Sequence, residues 1–133
     1  MHSLHIDDIE AAINYWRLRA PADAHGTLAA PTRALAELYA TMAHSGQSAI
    51  DLPQVSPSAW QAWLDWYAST PDTPCIAICS TAQGDEVCKG CGRSAEEVRM
   101  WGAMHPTDKR AVWRRITTEA SAWRFNRYIE RAN

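Results

Sequence analysis

Four cysteines, Cys75, Cys79, Cys88 and Cys91, stand within seventeen positions of this 133-residue chain, and it has no others. The stretch "PCIAICSTAQGDEVCKGCGRS" spaces them as C-x3-C-x8-C-x2-C. Four thiols so close in sequence point to one shared ion or cluster. Cys88 and Cys91 lie in "CKGCG", where two residues separate the sulfurs and glycines stand at 90 and 92. That is the pattern of a metal knuckle. Glycine permits positive φ, and backbone N–H groups in such a turn can face the sulfurs. Lys89 and Arg93 lie alongside in sequence. Positive charge favours the thiolate and offsets the double negative charge of four thiolates on a divalent ion.

The first pair is less standard. In an extended strand Cys75 and Cys79 would be ~13 Å apart, too far for zinc–sulfur bonds of ~2.3 Å. "CIAIC" must therefore bend, either as a helical turn with both thiols on one face or as an irregular loop. Gly84-Asp85 is a turn signal that lets the two pairs meet. The expected ligands are Cys75, Cys79, Cys88 and Cys91. Four thiolates suit structural zinc, which the knuckle favours, and they also suit an iron–sulfur cluster. A thioredoxin-type reading of Cys88 and Cys91 lacks a surrounding βαβ pattern and leaves two cysteines unexplained.

The first residues, "MHSLHIDDIE", have neither the basic nor the apolar region of a signal peptide. No apolar run approaches the length of a membrane span. A cytoplasmic location without membrane contact is expected. Thiols stay reduced there, so clustered cysteines mean metal or redox chemistry rather than structural disulfides.

The elements that must position these cysteines read as helices. Ile6, Ile9, Ile13 and Trp16 form one stripe, with Asp7, Asp8 and Glu10 in the first turn and Arg17 and Arg19 in the last. Those three carboxylates read as a solvated helix start rather than an acid–base cluster. Leu35, Leu38, Tyr39 and Met42 form a second stripe that stops near Gly46. "QSAIDLPQV" reads as a connector. Ser56 as N-cap and Pro57 at N1 open a third helix, which carries Trp60, Trp63, Leu64 and Tyr67 on one face. Seven Trp against one Phe is unusual, and core packing is the expected use of that aromatic face. "STPDTP" at 69–74 is the best boundary. It divides a helical domain, 1–70, from a cysteine domain, 71–133. Beyond the cysteines, Ser94 and Glu97 form a capping box, with Val98 and Trp101 following on one face. Thr107 is expected to cap a last helix with the stripe Val112, Trp113, Ile116, Ala120 and Trp123, running to about Tyr128. The fold class is mainly α: an N-terminal three-helix unit, then a small four-cysteine metal knuckle with two further helices.

Charge is uneven. Residues 1–88 carry three basic and ten acidic groups, a net −7, while residues 89–133 carry ten and five, a net +5. Arg110, Arg114, Arg115, Arg124 and Arg127 are interleaved with Trp113, Trp123, Phe125 and Tyr128. Basic groups neutralise phosphates and aromatic faces stack on bases, so nucleic acid is one candidate partner. An amphipathic helix with an aromatic inner stripe accounts for the same residues and is the favoured reading. The histidines are scattered, and His105, the nearest to the cysteines, is not needed as a ligand. No nucleophile elbow, P-loop or dinucleotide fingerprint appears. The chain reads as a non-enzymatic metal-binding protein whose expected partner is another protein.

Pro74, Cys75, Cys79, Cys88, Gly90, Cys91, Arg93, Ser94, Glu97, Val98 and Trp101 together resemble a widespread bacterial family labelled predicted iron–sulfur proteins, domain of unknown function 1289. The likeness spans roughly residues 73–117. "IDDIEAAINYWRLRAP" and "RALAELYATM" resemble a second family, domain of unknown function 3717. Neither resemblance implies an activity. The first implies a cluster in an electron-transfer or sensing role as the alternative to zinc.

Overall fold

A computed structural model describes residues 2–125. The chain is mainly α, with five helices among the described residues. It divides into two compact units, the first ending at Thr70 and the second starting at Pro71. No helix among the described residues is long and apolar enough to cross a membrane.

Unit 1 holds helices α1 (Ile6–Arg19), α2 (Ala30–Ser45) and α3 (Pro57–Ala68), each packed against the other two. The ends of all three follow local chemistry. His5 caps α1 by accepting the Asp7 N–H at 3.1 Å. Gly46 closes α2 in the left-handed region at φ 70°, where a Cβ would be strained. Ser56 caps α3 by accepting the Ala59 N–H, with Pro57 behind it. The core is Leu4, Ile9, Ala12, Leu35, Leu38, Met42, Ile50, Ala59, Ala62, Trp63 and Trp66. Trp63 is its centre and is fully buried. It stacks on Trp60 at 5.3 Å and on Tyr67 at 5.5 Å, and meets Trp66 edge-on at 5.5 Å. The aromatic face is core, as expected. Trp16 ties α1 to α3 by donating to the Ala62 carbonyl at 2.9 Å.

Two expectations for this unit are corrected. The connector "QSAIDLPQV" contains a strand, β2 (Ala49–Asp51), paired antiparallel with β1 (Ser3–His5) in the register Leu4↔Ile50. A three-residue strand with one inward apolar side chain has no alternation to read, and its partner is more than forty residues away. Asp8 is not solvated: it is 3% exposed, while Asp7 and Glu10 lie outside.

Unit 2 has little regular structure before α4 (Ala95–Met100) and α5 (Pro106–Glu119). The capping box at Ser94 and Glu97 forms in full. The core is small: Trp101, Val112 and Ile116, with Met104, Trp113 and Phe125 against them. His105, not Thr107, caps α5, its Nδ1 accepting the Thr107 N–H while Pro106 takes the first position. The last helix also stops early. Ala120 turns left-handed at φ 49°, so Trp123 leaves the stripe and is 40% exposed. The β-branched pair Thr117-Thr118 weakens the final turn, and the residues beyond it bond elsewhere, as described below. Tyr128 lies outside the described residues.

Removing the centre of the aromatic stack should be costly. Trp63→Ala is expected to destabilise unit 1 by about 3–5 kcal/mol. Leu18→Ser, at a side chain 86% exposed, should change stability by no more than about 0.5 kcal/mol. Urea unfolding of the full chain followed by circular dichroism compares the two; equal midpoints would place the core elsewhere.

Candidate metal centre

The cysteine segment forms two tight turns that pack on each other. In the second, Cys88 N–H donates to Arg93 O and Gly92 N–H to Cys88 O, both at 2.8 Å. A bridge between Val87 and Ser94 closes the base. Gly92 takes φ +90°, and a Cβ there would stand 3.1 Å from the Ile116 side chain of α5. Gly90 is needed for a different reason. Its φ is not positive, but a Cβ would come 2.5 Å from the Ile78 carbonyl and 3.2 Å from the Ile76 side chain. The two turns meet where Gly90 leaves that space.

In the first turn "CIAIC" bends as an irregular loop. Ala77 sits at φ 71°, unusual for a residue with a Cβ, and its N–H donates to Cys75 Sγ at 3.3 Å. This makes the first turn a second sulfur-facing knuckle, with alanine where the other has glycine. Nothing in the letters of "CIAIC" signals that. Gly84 makes the expected turn at φ +101°.

Cys88 Sγ lies between the two turns. Its S–H donates to the Ile78 carbonyl at 3.5 Å. The backbone amides of Cys91, Ser80 and Gly90, with the Cys91 side chain, favour its charged form, and Ser80 Oγ of the first loop accepts the Lys89 N–H of the second at 2.8 Å. Burial pushes the Cys88 thiol up, but these donors outweigh it and lower its pKa to about 7. Cys88 and Cys91 are each 1% exposed. Arg93 reaches Cys91 Sγ through Nε at 3.3 Å. Lys89, expected beside the sulfurs, points to Asp85 at 3.6 Å instead.

Cys88 and Cys91 are thus brought together, and the backbone after Cys79 reaches them through Ser80. Cys79 is half-buried against the Thr81 hydroxyl at 2.9 Å, and Cys75 is exposed. Among the described residues no three Cys, His, Asp or Glu side chains form a metal-holding group. A cavity of about 450 Å³ is lined by Cys79, Ser80, Lys89 and Trp123 among others. A larger one of about 830 Å³ lies in unit 1 between the first turns of α2 and α3, remote in sequence from every cysteine.

Two of the arginines considered as a nucleic-acid surface make bonds within unit 2. Arg115 holds Glu97 through both carboxylate oxygens at 2.6 and 2.8 Å, and reaches Gly92 O and Glu119 at 3.0 Å each. The two charged hydrogen bonds hold Glu97 below the usual carboxylate range and raise Arg115. Arg124 donates to Pro74 O at 2.9 Å and lies over the Trp113 ring. Backbone bonds from Trp123 N–H to Lys89 O and from Arg124 N–H to Gly90 O hold the same segment on the second turn. Arg110 lies near Trp113, Arg114 is half-buried, and Arg127 falls outside the described residues.

Residues 2–68 match the family model "Protein of unknown function (DUF3717)", and residues 73–120 match "Protein of unknown function (DUF1289)". No curated protein and no solved structure matches the chain.

Two measurements check this geometry. Gly90→Ala is expected to cost unit 2 about 1–3 kcal/mol by forcing the turns apart, whereas Gly102→Ala, with open space around it, should not. Because the folded-state pKa of Cys88 is depressed, from 9.0 to about 7, its contribution is complete above the unfolded value. It is lost as pH falls through the folded one. The metal-free chain should therefore become more stable between pH 7 and 9, and Cys88→Ser should flatten that rise; a flat wild-type profile would deny the lowered Cys88 pKa.

Proposed function

The chain belongs to the DUF3717 family of proteins of unknown function, and we propose that its second unit is a metal-binding module with Cys75, Cys79, Cys88 and Cys91 as ligands and structural zinc as occupant. One observation carries the reading: two buried sulfurs, Cys88 and Cys91, share one turn, and the loop of the other two cysteines packs on that turn at Gly90 and through the Lys89 N–H on Ser80 Oγ. The backbone amides around Cys88 favour its thiolate, which is the ligand form. Cys91 stands beside it with a guanidinium N–H on its sulfur. Gly90 supports the reading too, since the contact it permits holds the loop of Cys75 and Cys79 against the other pair. In this reading those two cysteines turn inward to complete four donors.

The ion would supply cross-linking rather than reactivity. Unit 2 buries only three large apolar side chains in its core cluster, and a structural zinc site is worth ~10–16 kcal/mol in small peptides. An iron–sulfur cluster in electron transfer or sensing is the alternative, because it draws on the same four thiolates. A module of this kind, with Ile78, Val87 and Trp123 exposed around its turns, serves as an interaction element for another protein.

Anaerobic purification followed by elemental analysis decides the occupant. A single zinc ion per chain, lost in Cys88→Ser and Cys91→Ser and weakened in Cys75→Ser and Cys79→Ser, is expected. Iron with labile sulfide would replace zinc by a cluster. Absence of both, with no thiolate absorption on adding Co²⁺, would end the metal reading. Chelation, like Cys88→Ser, should disorder unit 2 while leaving unit 1 helical, as followed by circular dichroism.

A further inference from the structure

Among the described residues unit 2 buries two cations, and they are treated differently. Lys109, 9% exposed, is paired with the Asp72 carboxylate at 2.9 Å. Arg93, 5% exposed, has no carboxylate on it among the described residues. Its guanidinium carbon lies 4.7 Å from the centre of the Trp101 ring, and its Nε donates to Cys91 Sγ. A buried guanidinium without an anion is expensive, and an aromatic face offsets only a fraction of that cost. The group it faces that can become an anion is the Cys91 sulfur.

We propose that Arg93 is the counter-charge of the metal centre, a positioning residue that donates to Cys91 Sγ and neutralises part of the negative charge that four cysteine sulfurs bring to a divalent cation. The inference rests on the metal-binding reading above and adds to it a fifth residue, which never touches the ion. Trp101 holds the guanidinium in place: its indole N–H donates to Asp72 O at 3.2 Å, and Asp72 also anchors Lys109. The counter-charge is thus built into the packing of α4 and α5, not carried on a mobile surface side chain. It has a consequence of opposite sign in the two states. Without metal, Arg93 is a buried charge seeking an anion; with metal, it is paired.

Cobalt(II) titration of the full chain under reducing, anaerobic conditions tests this, with Arg93→Met and Arg93→Lys beside the wild type. Arg93→Met should bind Co²⁺ about 10–100-fold more weakly. Its sulfur-to-cobalt absorption should move to lower energy, because a hydrogen bond to a ligand sulfur is gone. Arg93→Lys keeps the charge without the planar fork and should recover part of the affinity. Thermal melting of the metal-free Arg93→Met chain should be unchanged or higher. Equal affinity and equal spectra in wild type and Arg93→Met would overturn the proposal while leaving the metal site intact. So would a loss of affinity matched by a lower metal-free melting temperature with an unshifted band, since Arg93 would then be a packing residue only. A wild-type chain that shows no thiolate–cobalt absorption would instead remove the metal-binding reading, and this inference with it.

Discussion

Unit 2 depends on the close approach of Gly90 to the Ile78 carbonyl, which lets the two cysteine loops pack on each other. Neither loop has helix or strand to hold it. In the first the Ala77 N–H donates to Cys75 Sγ, and in the second the Gly92 N–H returns to Cys88 O. Only where Gly90 gives up its side chain can the two approach closely enough for Ser80 Oγ of one loop to accept the Lys89 N–H of the other at 2.8 Å. The rest of the unit braces this meeting. Arg115 joins α5 to α4 and to Gly92 O, Gly92 rests on Ile116, and Arg124 spans from Gly90 O to Pro74 O through backbone and guanidinium.

The two units solve the stability problem by different means. Unit 1 uses three helices, a fully buried Trp63 and an aromatic stack in which Trp60 and Tyr67 lie nearly parallel to it. Stacked pairs of this kind add about 0.5–1.5 kcal/mol each beyond area burial. Unit 2 has one core tryptophan, Trp101, and spends its hydrogen bonds on backbone turns and on arginines. Its polar interior is a framework without much apolar filling, which is the condition under which small domains lean on metals or cross-links.

The helices were legible because their signals are local. Ser56-Pro57, the Ser94–Glu97 box and Gly46 act over one turn, and the apolar spacing of α1 to α3 repeats often enough to read. The grouping of Cys88 with Cys91 was legible from two intervening residues. What escaped depended on distant partners or on backbone angles. Strand β2 exists because Ser3–His5 lies beside it. Ala77 adopts a glycine-like angle with nothing in its name to show it. The early end of α5 follows from the pull of Lys89 O and Gly90 O on Trp123 and Arg124. That Arg115 and Arg124 hold Glu97, Gly92 O and Pro74 O was not legible, because those partners lie eighteen to fifty residues away. The roles of the two glycines were half legible: Gly92 needs its angle, whereas Gly90 needs its emptiness.

The clasp that Arg124 makes on Pro74 spans fifty residues of chain. Synthesis proceeds from the amino end, and domains fold as units in that order. All of unit 1 and every cysteine leave the ribosome before the residue that fastens the knuckles does. The nascent thiols therefore pass through an interval in which they are displayed but not yet clasped.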